Sequence, residues 1–421
     1  MVNYEVVIIG AGVAGLAAAQ ELQRAGLASL VLEARHRIGG RVWTDRSRGV
    51  VELGAEFIHG KHAVTWELVN QIGLTTVPWP PVEMADSYQI YPYARQGAII
   101  PPNPELFEKV HYLHGLVEGY EGPEQSVAHF MAGQATPDDL AAQIVLRRFA
   151  CTEAADVTRL SAQAIGYERR LESAGWGDDF HIVEGYDHVA TALAQGVQIE
   201  LNSPVKQIAW TEAGATLLLA TGSVVRTRRV IVTVPLGVLQ AGAIEFEPIL
   251  PPAKTQAIQM VAMGPIAKLA LWFEHQFWPP LAYLGTDGMI LNWWPVYCDV
   301  GAVLMGYLGG PAVGELAKLG PEGAVNQGLA ELSAMFGPAV RATFIKGQLV
   351  DWSNDPWARG GYTYTPVGAG NARAELAQPV ANTLFFAGEA TSTNGHVATV
   401  HGAIETGRRA ATEILALTKL S

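Results

Sequence analysis

Cysteine is nearly missing from this chain of 421 residues, which holds only Cys151 and Cys298. Two thiols cannot build a disulfide framework or a cysteine-ligated metal centre. Positive charge is also short, with 28 Lys and Arg against 40 Asp and Glu, a net charge of −12. That balance argues against nucleic acid or an anionic membrane surface as a partner. An acidic field attracts cationic ligands, though it equally serves solubility. No apolar run approaches the ~20 residues that span a bilayer. A strand pattern already begins by Val6, which leaves no room for a signal peptide, so the expectation is a soluble cytoplasmic protein. Charged residues make up only 16% of the chain and apolar residues 49%, so it reads as globular and well buried. The length exceeds one simple core, and two domains are expected.

What is present is organised around Val6–Glu33, VVIIGAGVAGLAAAQELQRAGLASLVLE. Val6–Ile9 is an unbroken apolar run, as suits a strand buried on both faces of a parallel sheet. Gly10, Gly12 and Gly15 follow in G-x-G-x-x-G spacing. The first glycine permits a tight turn, the second lets backbone approach a pyrophosphate, and the third lets the next helix lie against the strand. Leu16–Ala25 reads as a helix stopped by Gly26. Leu30–Leu32 reads as the second strand, ending on Glu33. That acid stands about twenty residues past the glycines, where it accepts hydrogen bonds from a ribose 2′-hydroxyl. A 2′-phosphate would be repelled there, which favours FAD or NAD over NADP.

Downstream, Arg41 in the GGRVWT segment is a bidentate candidate for phosphate. Arg35 and Arg37 read equally as phosphate contacts or as a solvated loop. Asn103–Leu171 reads as helical, with stops at Gly122–Pro123 and Gly133–Pro137. His111, His114 and His129 have no metal-type spacing to a carboxylate, and no metal is expected. Ala215–Ala220 and Val224–Arg228 predict a hairpin, and Val230–Val234 a further central strand, so the chain returns to its first domain after an excursion. Ile266–Phe273 alternates like a strand and carries Lys268 in an apolar setting. An unpaired buried ammonium costs several kcal/mol, so the pattern leaves two readings, a lysine turned to solvent or a functional one. Trp293, Trp294 and Tyr307 would line a cavity or pack a core. Leu384–Thr391 predicts a buried strand ending in Glu389, and Ala398–Ala403 opens a helix running to about Leu417.

Taken together, GGRVWT, ELGAEFIHG, the Trp352–Tyr364 segment and the terminal FAGEAT stretch resemble the flavin-containing amine oxidase family of monoamine oxidases, polyamine oxidases and lysine-specific histone demethylases. The resemblance covers nearly the whole chain. It implies an α/β fold, a Rossmann-like FAD-binding domain of glutathione-reductase type with a discontinuous α+β substrate-binding domain. The first would take residues 1–60, 181–250 and 375–421, the second 61–180 and 251–374 with a helical region at about 103–171. FAD contacts are then expected at Gly10, Gly12, Ala14, Gly15, Glu33, Ala34, Arg35, Gly40, Arg41, Gly54, Ala55, Glu56, Val205, Trp352, Gly388, Glu389, Thr399 and Val400. Lys268 would hold a water against flavin N5, Tyr362 would face the substrate, and His59 would stand near its amine. Thr399 falls at the second cage position. Glu56, Glu184, Trp294, Tyr362 and His396 are the expected substrate contacts. The last helix would point its N-terminus at the flavin, where reduction leaves negative charge.

Several departures sharpen the reading. Monoamine oxidases attach FAD through a cysteine that falls here at Gly361, so FAD is expected to be non-covalent. Thr399 replaces the second cage tyrosine. The loop Ser392–Val397 is one residue longer and brings Gly395–His396 towards the site. Glu56 and Phe57 stand where related L-amino-acid oxidases carry an arginine. Neither a swirl-type domain nor a long coiled-coil insertion is seen, so chromatin is not the expected substrate. The expected activity is oxidation of a primary or secondary amine, foremost a polyamine, to an imine and aldehyde, with dioxygen reduced to hydrogen peroxide. An L-amino-acid oxidase and a flavoprotein without turnover are the alternatives.

Overall fold

A computed structural model describes residues 4–80, 91–175, 177–296 and 301–418; Cys298 lies outside them. The apolar run at the start forms the strand Tyr4–Ile9, with the parallel strands Ser29–Leu32 and Val224–Val232 on either side. Val6, Val7 and Ile8 are fully buried, because helices cover one face of this sheet and a second apolar cluster the other. Gln198–Glu200 extends one edge, and Gly214–Leu219, Val205–Thr211 and Glu245–Glu247 extend the other.

Val224–Val232 corrects the sequence reading, which split it into a hairpin strand and a separate central strand. It is continuous, and its partner changes along its length. Val224–Thr227 pairs antiparallel with the hairpin, whereas Val230–Val232 pairs parallel with Leu384–Phe386. One strand thus joins the nucleotide-type sheet to the chain's last βα unit.

The helix Val13–Arg24 ends before Gly26, whose φ of +76° is the left-handed geometry anticipated for it. It packs on the final helix, Val400–Thr418, at close range. A side chain on Gly407 would put its Cβ 2.1 Å from the Ala14 carbonyl oxygen.

A second, seven-stranded sheet is built on Ile266–Phe273, flanked by Ala302–Gly309 and Phe344–Asp351. All eight residues of Ile266–Phe273 are buried. The alternation read from sequence is real, yet neither face meets water. Ala267, Leu269, Leu271 and Phe273 join one core, while Ile266, Ala270 and Trp272 join another on the opposite face. Lys268 shares the second face, so the solvent-pointing reading falls away.

Four helices, Pro104–Glu118, Val127–Ala132, Leu140–Thr152 and Ala162–Leu171, pack around Val117, Val145 and Phe149. Each begins at a side-chain cap: Asn103, Ser126, Asp139 and Ser161 accept from backbone N–H groups of the first turn. A three-stranded sheet of Ile58–His59, Asp179–Ile182 and Thr76–Trp79 lies near them and sets His59 directly opposite Asp179.

Candidate active site and cofactor cleft

A cavity of about 900 Å³ runs between the two large sheets and on to the helical region. At one end its wall holds Gly10, Gly12, Ala14, Glu33, Ala34 and Arg35. Gly10 has φ +107°, and nothing lies within 4 Å of where a Cβ on Gly12 would project. No side chain caps the helix that Gly12 opens, so its first N–H groups face the cavity as an anion site. The Glu33 carboxylate is fixed by the Ala11 N–H at 2.7 Å and the Arg35 N–H at 2.8 Å. Glycine backbone, an uncapped helix end and a buried acid together suit a dinucleotide. Val205, Gly40, Arg41, Gly54, Ala55, Gly388, Glu389, Trp352, Thr399 and Val400 continue the wall.

The cations at this end are committed to protein partners. Arg35 makes a bidentate pair with Asp355 at 2.6 and 2.8 Å. Arg41 donates to the Gly361 carbonyl at 2.6 Å and to Glu389 at 3.0 Å. Glu389 also accepts from the Thr363 hydroxyl at 2.7 Å. Arg37 hydrogen-bonds the carbonyls of Ile38, Gly40 and Val42 and is not in the cavity wall. A Cβ at Gly361 would stand 2.3 Å from Ile266 Cγ1, so the position is closed to any larger residue and offers no thiol.

Lys268 reaches the cavity where the two sheets meet. Its Nζ donates to the Glu52 carbonyl at 3.0 Å and to Glu56 Oε2 at 2.6 Å. Glu56 Oε1 accepts from the Trp294 indole at 3.0 Å. Lys268 and Glu56 are each about 95% buried, so both charges are shielded from bulk solvent. Beneath them, burial pushes the Glu52 carboxyl up to about 7, against hydrogen bonds from the Tyr186 N–H and the Thr44 hydroxyl.

Beyond Lys268 the wall turns aromatic. Tyr307 and Tyr362 share a hydroxyl hydrogen bond of 2.8 Å, and Tyr362 also donates to the Thr152 carbonyl at 2.6 Å. Burial raises both phenols, so they stay protonated. Trp79, Trp294, Trp352 and Trp357 are four indoles of the wall. His59 Nδ1 lies 2.6 Å from Asp179. Burial alone would lower this imidazole, but the charge and hydrogen bond of Asp179 outweigh it and raise its pKa.

Three expected site residues lie elsewhere. Glu184 is not in the wall; its carboxylate accepts from the Thr75 N–H at an exposed turn, because the chain there closes a loop beside the three-stranded sheet. His396 is buried behind the wall, its Nδ1 held by Glu405 at 2.8 Å. The lengthened loop folds that ring inward against the helical region, leaving Val397, Ala398 and Thr399 at the surface of the cavity. Gly15 lies under the turn, where a Cβ would be 2.0 Å from the Gly10 carbonyl oxygen, so it serves packing. Glu56 is in the wall but already paired with Lys268.

Asp179, Glu153, Arg147, Arg148 and Tyr283 join the wall unannounced by any motif. Asp179 could have been found only by aligning two strands more than a hundred positions apart.

The family described as flavin containing amine oxidoreductase matches residues 13–415. Polyamine oxidase 4 of Oryza sativa subsp. japonica is 32% identical over 97% of this chain and 88% of its own length. The human lysine-specific histone demethylase 2 is 30% identical over 98% of this chain, but the match takes in only 54% of that protein. The chain spans about half the length of most such demethylases it matches. Among solved structures, cyclohexylamine oxidase from Brevibacterium oxydans IH-35A superposes with a TM-score of 0.83 at 25% identity, over 99% of both chains. With the cleft and these matches in view, the chain belongs to the flavin-containing amine oxidoreductases, and FAD is its cofactor.

Proposed function

We propose that this chain is an FAD-dependent amine oxidase that takes a single ammonium group into an aromatic pocket. The observation that carries the reading is the Lys268–Glu56 pair set beside Tyr307, Tyr362 and Trp294 in one cavity wall. FAD, when bound, supplies the two-electron acceptor for the C–H bond next to nitrogen and hands those electrons to dioxygen as hydrogen peroxide. The imine so formed is hydrolysed by water to an aldehyde or ketone, with release of ammonia from a primary amine or of the remaining amine from a secondary one.

The residues of the chain bind and orient. Lys268 uses two of its three N–H donors on Glu52 and Glu56, and the third is free to hold a water. An alkylamine has a pKa of about 10, as lysine does, so it arrives charged and must lose a proton to react. Buried phenols and indoles disfavour the cation and assist that loss. We read residues 1–60, 181–250 and 375–421 as the half that holds FAD, the remainder as the half that holds the amine, and the setting as cytoplasmic.

A polyamine needs a second anchor for its distal ammonium. The acids in the wall beyond Lys268 each have a cation close by: Asp179 has His59, Glu153 has Arg169 at 3.4 Å, and Glu168 has Arg373 at 3.6 Å. This favours an amine with an apolar body, as the likeness to cyclohexylamine oxidase also does. The polyamine reading is second, supported by the likeness to polyamine oxidase 4. Peroxide release from cyclohexylamine, benzylamine, spermidine, leucine and a methyl-lysine peptide separates these readings. Higher kcat/KM for the first two is expected. Preference for spermidine reinstates the polyamine, and preference for leucine removes amine oxidation as the main activity.

A further inference from the structure

Behind the cavity wall, three elements bring metal-type ligands to one point. Glu172 follows the helix Ala162–Leu171, His396 stands in the lengthened loop, and His401 lies in the first turn of the last helix. One ligand atom from each lies within 4.8 Å of the others. Glu172 Oε1 is 3.7 Å from His396 Nε2, against roughly 3.3 Å for two ligands on one tetrahedral zinc. The two imidazoles meet edge to face at 4.6 Å.

Two further observations point to a ligand. His401 is 97% buried, and among the described residues its Nε2 has no hydrogen-bond partner, which is costly for a polar atom in a protein interior. His396 has the orienting carboxylate usual for a metal-bound imidazole: Glu405 accepts from Nδ1 at 2.8 Å, and Asn394 holds Glu405 at 2.9 Å. Nε2 is thereby turned towards Glu172, with the Ser173 N–H and hydroxyl at 3.4 Å.

We infer that Glu172, His396 and His401 bind one divalent transition-metal ion. Two imidazoles and a carboxylate form a donor set suited to Zn²⁺, with a fourth position for water. The histidine spacing along the chain did not announce this site, because Glu172 arrives from a distant helix. The ion would pin the Ser392–Val397 loop to the end of the helical region.

The test uses FAD-loaded protein, treated with EDTA, dialysed into chelator-free buffer and titrated with ZnSO₄ against a chromogenic chelator. The expected result is uptake of one equivalent per chain. His401→Ala should weaken it by roughly 100-fold or more, and Glu405→Gln by roughly 10- to 100-fold. Flavin absorbance and melting temperature report whether each variant is folded, and Glu405→Gln, which preserves volume, decides the matter if His401→Ala is not. No stoichiometric uptake by the parent, or unchanged affinity in a folded variant, overturns the site.

Discussion

Lys268 and Glu56 stand 212 positions apart in sequence and 2.6 Å apart in space. Removing one member of a buried pair leaves the other charge stranded. Lys268→Met should therefore lower unfolding stability by about 3–5 kcal/mol in denaturant titrations. Lys268→Met with Glu56→Gln should recover part of that loss, as a double-mutant cycle would show. In the single variant FAD should stay bound, while flavin reduction or reoxidation slows by orders of magnitude in stopped flow; wild-type rates would remove Lys268 from the chemistry. His59 gives a pH prediction. Its pKa is raised by Asp179, so below that value the cavity carries an imidazolium that repels an incoming ammonium. Above it the ring is neutral, and kcat/KM should rise with pH through this step. Asp179→Asn leaves burial dominant, so the step should move to lower pH. The residue pattern left Lys268 open between solvent and function, and the family resemblance is what assigned it a place at the flavin. Sequence could not announce Glu56 as its partner, or Asp179 as that of His59, because both pairs exist only once distant segments meet in the fold.

At the scale of elements, the most constrained contact is between the first and last helices. Gly407 lies against the Ala14 carbonyl with no room for a methyl group. Gly407→Ala forces the helices apart and should destabilise the fold by about 1–3 kcal/mol, with looser FAD binding by fluorescence titration. The Arg35–Asp355 fork ties the loop after the second strand to the segment following Phe344–Asp351. The nucleotide-binding strands, glycine turn and final helix were legible because their signals are local: an apolar run, glycines at fixed spacing, an acid at the strand end. The unity of Val224–Val232 was not legible, since a change of partner halfway along leaves no trace in residue choice. His396 was misjudged for a related reason, as loop length does not say which way a loop folds.

At the scale of the molecule, the cleft is bounded by both large sheets, so FAD held in it would meet residues of both. A ligand held only by the folded chain adds roughly 2.7 kcal/mol at a hundred times its Kd. Calorimetry of stripped protein titrated with FAD should show a rising melting temperature and a single transition throughout; two transitions would mean that the halves unfold separately. Among the described residues no helix is long and apolar enough to cross a membrane. The four indoles of the cavity wall have an optical consequence. Tryptophan emission overlaps the near-ultraviolet absorption of isoalloxazine, and transfer between rings lodged in one cleft is efficient. Loading with cofactor should therefore darken the intrinsic fluorescence of the protein, and its return would time the departure of the flavin without any added label.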